Sequence, residues 1–172
     1  MNERRLACLN VVLGSPGLSV KEIAAEAHLP ENQASINLRA FQARGLLSAR
    51  RDGVHIRYFA EPDPLVDHAS EVLKAIRREL RRTSVEAVLV TLRAFTHPRR
   101  LTILGCLLNT DEAAADVIVA KTRISQPAVW RHLATLSGAG LVRETKKAHW
   151  QVAPNNRLSG LAKTLLDEIK RG

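Results

Sequence analysis

The chain has 172 residues, a formal net charge of +9 and a hydrophobic content of 45%, which predicts a packed core and excludes a disordered chain. Aromatic residues make up only 3%, which favours helices packed through aliphatic side chains over sandwiches or barrels. The isoelectric point of about 10.4 indicates a polyanionic partner. There is no apolar run of the roughly 18 residues that a membrane span requires, no signal peptide and no disulfide framework. We therefore expect a cytoplasmic protein with no membrane partner.

The chain repeats itself with an offset of 95 residues. This offset places the Arg-Arg-Leu of residues 4–6 on that of residues 99–101, and the Gly-Leu-Leu of residues 45–47 on the Gly-Leu-Val of residues 140–142. The matched positions are mostly apolar, whereas most polar positions differ. The repeat therefore predicts one small core that is used twice, in a domain over residues 1–82 and a second over residues 83–172.

The first domain begins with an apolar helix, "RRLACLNVVLG", and a short helix in which Ser19 and Glu22 have the spacing of a capping box. A longer helix over residues 31–44 ends before Gly45, a residue suited to a left-handed C-cap. The stretch "LLSARRDGVHIRYFA" predicts a hairpin whose turn is the Asp-Gly pair. An amphipathic helix over residues 64–82 completes this domain.

The second domain has the same predicted order. Thr83 and Glu86 have the spacing of a capping box and start a helix that ends before Pro98. An apolar helix, a short helix, a longer helix over residues 126–139 and a basic hairpin, "LVRETKKAHWQVA", follow, and an amphipathic helix ends the chain. The predicted fold class is mainly α with small β-hairpin wings, as two tandem winged helix-turn-helix domains.

The segments "HPRRLTILGCLL" and "SQPAVWRHLATLSGAGLV" resemble the ArsR/SmtB type of bacterial transcriptional regulator, and the first repeat resembles it more loosely. The resemblance implies a bacterial, nucleoid-associated protein. Members of this family usually carry one such domain per chain and work as homodimers. Two fused copies therefore imply a monomeric pseudo-dimer, or a homodimer formed through the amphipathic helices.

Both longer helices and both hairpins carry candidate DNA-binding residues. A helix in the major groove reaches base edges with its N-terminal residues, where Gln can bond adenine and Arg can bond guanine. Lys and Arg in the hairpins would contact phosphates and give affinity without sequence information. The predicted interface with double-stranded DNA consists of Asn32, Gln33, Ser35, Asn37, Arg50, Arg51, Ser125, Gln126, Ala128, Trp130, Arg131, His132, Lys146 and Lys147.

Trp130 departs from the family pattern, which usually has a small polar residue at this position. One hypothesis is that the ring enters the groove and touches a thymine methyl group or a sugar. The other is that the ring folds over Ala134 and Ser137 and fills a gap against a neighbouring helix. The sequence leaves both alternatives open.

Metal and catalytic sites are not indicated by the sequence. Cys8 and Cys106 match apolar positions of the other repeat and are expected to pack as small hydrophobes. His68 and Glu71 could share one helix face, but a zinc site usually needs four ligands. There is no nucleophile elbow, phosphate loop or carboxylate dyad, so we predict no metal, no cofactor and no enzymatic activity.

The sequence as a whole predicts a sequence-specific transcriptional regulator that binds double-stranded DNA and acts as a repressor. The main alternative is a tandem winged-helix module that binds proteins in a chromosome or nucleic-acid complex and does not itself read sequence. Binding of RNA hairpins through the same face is a third alternative. The high isoelectric point and the basic hairpins favour the regulator.

Overall fold

The computed structural model describes residues 2–146 and 148–171. The chain divides into two compact units, one up to Leu89 and one from Val90. The division falls within helix α5 (Val85–Ala94). None of the helices in the described ranges is long and apolar enough to cross a membrane.

The first unit contains four helices and three strands before α5 among its described residues. In chain order these are α1 (Glu3–Gly14), β1 (Leu18–Ser19), α2 (Val20–Glu26), α3 (Glu31–Gln42), β2 (Ser48–Asp52), β3 (His55–Phe59) and α4 (Ala69–Leu80). Strand β3 lies between β1 and β2 and is antiparallel to both, with Leu18 opposite Tyr58 and Arg50 opposite Arg57.

Local signals fix the ends of the helices in the first unit. The Ser19 side chain and the Glu22 carboxylate form the predicted capping box at the start of α2. His28 adopts a left-handed conformation, with φ of 53°, between α2 and α3. After α3, Gly45 has φ of 65°, and the amide of Leu46 donates to the carbonyl of Phe41 at 3.0 Å. This Schellman-type ending turns the chain into β2.

The second unit contains four helices after α5 and three strands in the part of the chain that is described. They are α6 (Pro98–Leu108), β4 (Ala113–Ala114), α7 (Ala115–Thr122), α8 (Gln126–Gly138), β5 (Val142–Glu144), β6 (His149–Val152) and α9 (Gly160–Arg171). Strand β6 lies between β4 and β5 and is antiparallel to both.

The core of the second unit is built around α6, α7 and α8. Ile103 and Leu107 of α6, Ile118 of α7, and Val129 and Leu133 of α8 are fully or almost fully buried in one cluster. Helix α9 covers this core with Ala162 and Leu166, and β6 adds Trp150. Because α8 presents only one apolar stripe to this core, its opposite side is left at the surface.

The structure corrects the predicted fold class at the hairpins. Two-stranded hairpin wings were expected, but each hairpin belongs to a three-stranded sheet whose third strand is β1 or β4. The described residues form nine helices and two such sheets. A two-residue strand carries no alternating pattern, so it leaves no sequence signal of its own.

Two helix starts also differ from the prediction. The helix expected from residue 64 begins only at Ala69, because His68 is left-handed with φ of 65°. The expected cap at Thr83 is replaced by Ser84, whose hydroxyl accepts a hydrogen bond from the amide of Ala87 at 3.3 Å. The Thr83 hydroxyl instead donates to the carbonyl of Glu79 in the preceding helix at 3.2 Å.

Candidate nucleic-acid interface

The first turns of α8 present a polar, exposed face. Ser125 is the N-cap residue, and its carbonyl accepts hydrogen bonds from the amides of Ala128 and Val129 at 2.9 Å. The side chains of Ser125, Gln126 and Arg131 are exposed. No hydrogen bond or ion pair within the described residues occupies the guanidinium of Arg131, so its donors are available to a ligand.

Ala128 does not belong to this exposed face. Its side chain is 1% exposed and packs in the core cluster of the second unit. The prediction that Ala128 contacts DNA is therefore corrected: it lies one residue before the core position Val129 and faces inward.

Trp130 combines features of the two roles that the sequence left open. Trp130 is 45% exposed. Its ring also packs against the ring of Trp150 in β6, with the centroids 6.2 Å apart and the planes at 77°. This edge-to-face contact is a favoured geometry for aromatic pairs. Trp150 is 7% exposed, and its indole nitrogen has no hydrogen-bond partner among the described residues. The aromatic packing partner of Trp130 is thus a strand residue, Trp150.

His132 lies on the side of α8 that faces the start of α6. Its ring centroid is 4.7 Å from that of His97, and the two planes are tilted by 51°. Burial lowers the pKa of His132, and the nearby charges of His97, Arg100, Arg131 and Arg99 lower it further. Arg100 is held in place because it donates to the carbonyls of Ala94 at 2.9 Å and Arg93 at 2.6 Å.

The β5–β6 hairpin places further positive charge in the second unit. Lys146 is exposed and has no ion-pair partner within residues 2–146 and 148–171. Lys147, the other lysine of the predicted interface, lies outside the described residues. Arg143 of β5 donates from Nε and Nη2 to the side-chain oxygen of Gln151, both at 2.8 Å, when the Gln151 amide is oriented to accept.

Helix α3 of the first unit has a different surface. Asn32 is exposed, and its side-chain oxygen accepts a hydrogen bond from the amide of Gln33 at 2.8 Å. Gln33 and Ser35 are half-buried. Glu31 adds a carboxylate to the first turn of this helix, where it would repel a phosphate.

Asn37 lies inside the first unit and not on the predicted DNA-binding face. It is 5% exposed, and its side-chain oxygen accepts a hydrogen bond from Nε of Arg5 at 3.5 Å. Burial raises the pKa of the neighbouring Cys8 thiol, and a hydrogen bond with Asn37 partly offsets this effect. Asn37 therefore satisfies interior polar groups, which corrects its predicted role.

The arginines of the first hairpin are largely neutralised within their own unit. Arg50 contacts the Glu61 carboxylate at 2.6 Å and lies over the Phe59 ring at 4.6 Å. Arg57 contacts Asp52 at 2.6 Å. Arg51 is exposed and donates only to the carbonyl of Gly53, at 3.2 Å.

The same hairpin and α3 expose apolar side chains. Val54 in the turn is 88% exposed, Ile36 on α3 is 59% exposed and Ile56 on β3 is 47% exposed. Arg39 of α3 and Tyr58 of β3 line the groove next to Val54 and Ile56. The surface of the first unit is thus more apolar and less cationic than the α8 face.

The part of the chain that the structure describes has no group of three or more His, Cys, Asp or Glu side chains placed to hold a metal ion. Cys8 is buried and Cys106 is half-buried, and both are free thiols.

Comparison with known proteins gives a family match and distant structural likenesses. Residues 97–144 match the family model described as bacterial regulatory protein, arsR family. This segment runs from the start of α6 to the end of β5 and supports a DNA-binding winged helix-turn-helix regulator in this region. No curated protein matches the chain.

A solved structure of human N-acetylserotonin methyltransferase in complex with SAM is similar at a TM-score of 0.34 and 14% identity. The alignment covers 79% of this chain and 38% of the methyltransferase chain. The tandem winged helix-turn-helix architecture and the absence of enzymatic activity, both predicted from the sequence, are not borne out by this likeness. At this TM-score it identifies no reaction, substrate or cofactor for this chain.

Proposed function

We propose that the chain is a sequence-specific transcriptional regulator that binds double-stranded DNA through α8 and acts as a repressor by occupying promoter DNA. The observation that carries this proposal is the exposed N-terminal face of α8. The side chains of Gln126 and Arg131 are exposed there, while the opposite side of the helix is buried in the core of the second unit. A helix held this way can enter the major groove with its donors aimed at base edges. The arsR-family match over residues 97–144 supports the same face.

In this proposal, Arg131 reads a base and the hairpin contacts the backbone. The guanidinium of Arg131 offers two parallel donors that fit the O6 and N7 acceptors of guanine. Gln126 offers the donor and acceptor pair that fits adenine, and Ser125 and Lys146 contact phosphates. On α3 and its hairpin, Asn32, Gln33, Ser35 and Arg51 are proposed as weaker contacts, since Arg50 is already paired with Glu61.

The experiment is selection of genomic DNA fragments by the purified chain, followed by measurement of its affinity for the selected duplex and for a scrambled duplex of the same composition. We expect Arg131→Ala to cost about 1–3 kcal/mol on the selected duplex. On the scrambled duplex the same substitution should cost much less, because only phosphate contacts remain there. Equal losses on both duplexes would contradict base reading by Arg131, and recovery of no preferred fragment would contradict the proposed function.

A second candidate function, binding of a protein partner in a chromosome or nucleic-acid complex, is favoured by one observation on the first unit. The exposed Val54 and Ile56 line an apolar groove that DNA phosphates would not recognise, and Ile36 is exposed on α3. If this surface binds protein, the double variant Val54→Ser, Ile56→Ser should leave DNA affinity unchanged while Arg131→Ala reduces it.

A further inference from the structure

Five basic groups gather at the start of α6 and on the neighbouring side of α8. They are His97, Arg99, Arg100, Arg131 and His132, and we call them the basic cluster. The two imidazole rings lie 4.7 Å apart. Besides burial, the groups that lower the pKa of His132 are His97, Arg99 and Arg100 at the start of α6 and Arg131 on α8.

No carboxylate within the described residues forms an ion pair with the arginines of this cluster. Arg100 is held by backbone carbonyls, whereas Arg99 is exposed and its guanidinium has no bonding partner there. His97 caps α6, because its Nδ1 accepts a hydrogen bond from the amide of Arg99 at 3.2 Å. Uncompensated positive charge of this density repels itself and is relieved by an anion.

The first half of the sequence has neutral side chains at the corresponding positions. The residues 95 positions earlier than His97 and His132 are Asn2 and Asn37. Asn2 caps α1 by accepting a hydrogen bond from the amide of Arg5 at 2.8 Å, and Asn37 accepts one from the side chain of Arg5. Amides therefore perform the local structural tasks at both positions in the first unit, so these tasks do not require imidazoles in the second.

We propose that His97, His132 and Arg99 bind a backbone phosphate of DNA, and that protonation of His132 makes DNA affinity depend on pH. This inference rests on the proposed function and adds a contact and a regulation that base reading by α8 does not require. The ligand is a phosphodiester, which an imidazolium and a guanidinium can both contact through charge-assisted hydrogen bonds.

The sign of the pH dependence follows from linkage. In the free protein, burial and the surrounding positive charges lower the pKa of His132. A bound phosphate stabilises the charged ring and raises that pKa in the complex. Binding therefore takes up a proton between the two pKa values, so the added affinity is fully present below the free pKa and is lost as pH rises through the pKa of the complex.

The test measures affinity for a fluorescently labelled duplex of mixed sequence with unphosphorylated ends, at constant ionic strength, between roughly pH 5 and pH 8. The wild-type chain should bind more tightly as pH falls, by up to about tenfold per pH unit. His132→Asn introduces the residue found 95 positions earlier. It should make the affinity independent of pH, at the value that the wild-type chain has at high pH. His28→Asn is the matched control, because His28 is exposed with φ of 53°, a conformation that Asn tolerates, and it should keep the wild-type profile.

A second readout does not depend on the stability of a variant. The carbon-bound imidazole protons of the wild-type chain, followed by NMR with and without the duplex, should show a raised pKa of His132 on DNA. A flat wild-type profile, equal slopes for wild type and His132→Asn, or an unchanged His132 titration on DNA would each overturn the inference. DNA binding that persists with any of these results leaves the proposed function intact, whereas no binding at any pH removes the proposed function itself.

Discussion

At the scale of single residues, Trp130 has a divided environment. One edge of its ring packs against Trp150, and the remaining 45% of its surface is open to solvent on the same side of α8 as Gln126. Residues four apart on a helix are neighbours, so the ring stands directly beside a proposed base-reading side chain. The exposed part of the ring would therefore face DNA in contact with the first turns of α8.

The Trp130→Ser substitution separates these two environments. We expect a loss of about 1 kcal/mol in the free energy of unfolding of the second unit, because the aromatic pair and part of the buried ring are lost. Trp130→Phe keeps an aromatic edge and should recover most of that loss. Urea unfolding followed by circular dichroism measures the stability, and unchanged stability of Trp130→Ser would show that the contact with Trp150 contributes nothing.

Residue-scale prediction from the sequence failed where a polar side chain has an interior partner. Asn37 was placed on the DNA-binding face because it is polar, yet it lies one residue before the buried Leu38 and three after the buried Ala34. Helical spacing alone would have put it next to the core. Its partners, Arg5 and Cys8, come from a different helix, so no local pattern reveals them.

The sequence also did not show which arginines form ion pairs with carboxylates. Arg50 and Arg51 are adjacent and identical in type, but Glu61 neutralises only Arg50. The basic cluster was missed for the same reason, since His97 and His132 come into contact only when α6 packs on α8. The one available signal was the predicted offset of 95 residues, which pairs both imidazoles with amides, Asn2 and Asn37.

At the scale of elements, helix ends were predicted better than sheets. The capping box of Ser19 and Glu22 and the left-handed Gly45 are present as the sequence indicated, and Gly140, which the offset places on Gly45, is left-handed as well. These are local motifs in which the interacting groups lie within a few residues of each other. Strands β1 and β4 are two residues long and are defined only by distant partners in β3 and β6, so the sequence could not reveal them.

The two helix-ending glycines allow a matched stability comparison. Both have positive φ, 65° for Gly45 and 69° for Gly140, so alanine is strained at either position by about 1–2 kcal/mol. A Cβ at Gly45 would also lie 2.6 Å from Cγ2 of Val66, whereas a Cβ at Gly140 meets nothing within 4 Å. We therefore expect Gly45→Ala to destabilise its unit more than Gly140→Ala destabilises the other.

Thermal unfolding of the full chain, compared between the two variants, measures this difference. The additional loss at Gly45 should shrink in part when Val66→Ala is introduced, because Cγ2 is removed while Cβ of residue 66, at 2.8 Å, remains. Equal destabilisation by the two alanine substitutions would contradict the steric contribution of Val66 and leave only the backbone strain that both positions share.

At the scale of the whole molecule, the distribution of charge bears on the proposed function. The net charge of +9 is unevenly divided, with 13 basic and 10 acidic residues in positions 1–82 and 13 basic and 7 acidic residues in positions 83–172. The two halves also differ in pairing, because Arg50 and Arg57 have carboxylate partners while Arg99, Arg131 and Lys146 have none among the described residues. The second unit therefore has the stronger positive field.

This distribution predicts how DNA affinity depends on salt. Each phosphate that the chain neutralises releases counterions, so the logarithm of the binding constant should fall linearly with the logarithm of salt concentration, with a slope of magnitude about 0.9 per phosphate. Lys146→Gln should reduce the magnitude of that slope by about 0.9 if Lys146 contacts a phosphate. Lys163→Gln on the exposed side of α9 removes the same unit charge and is the matched control, which should leave the slope unchanged. Equal reductions by the two substitutions would assign the effect to net charge and not to a contact. Binding that is insensitive to salt in the wild-type chain would contradict phosphate recognition altogether and favour the protein-binding surface around Val54.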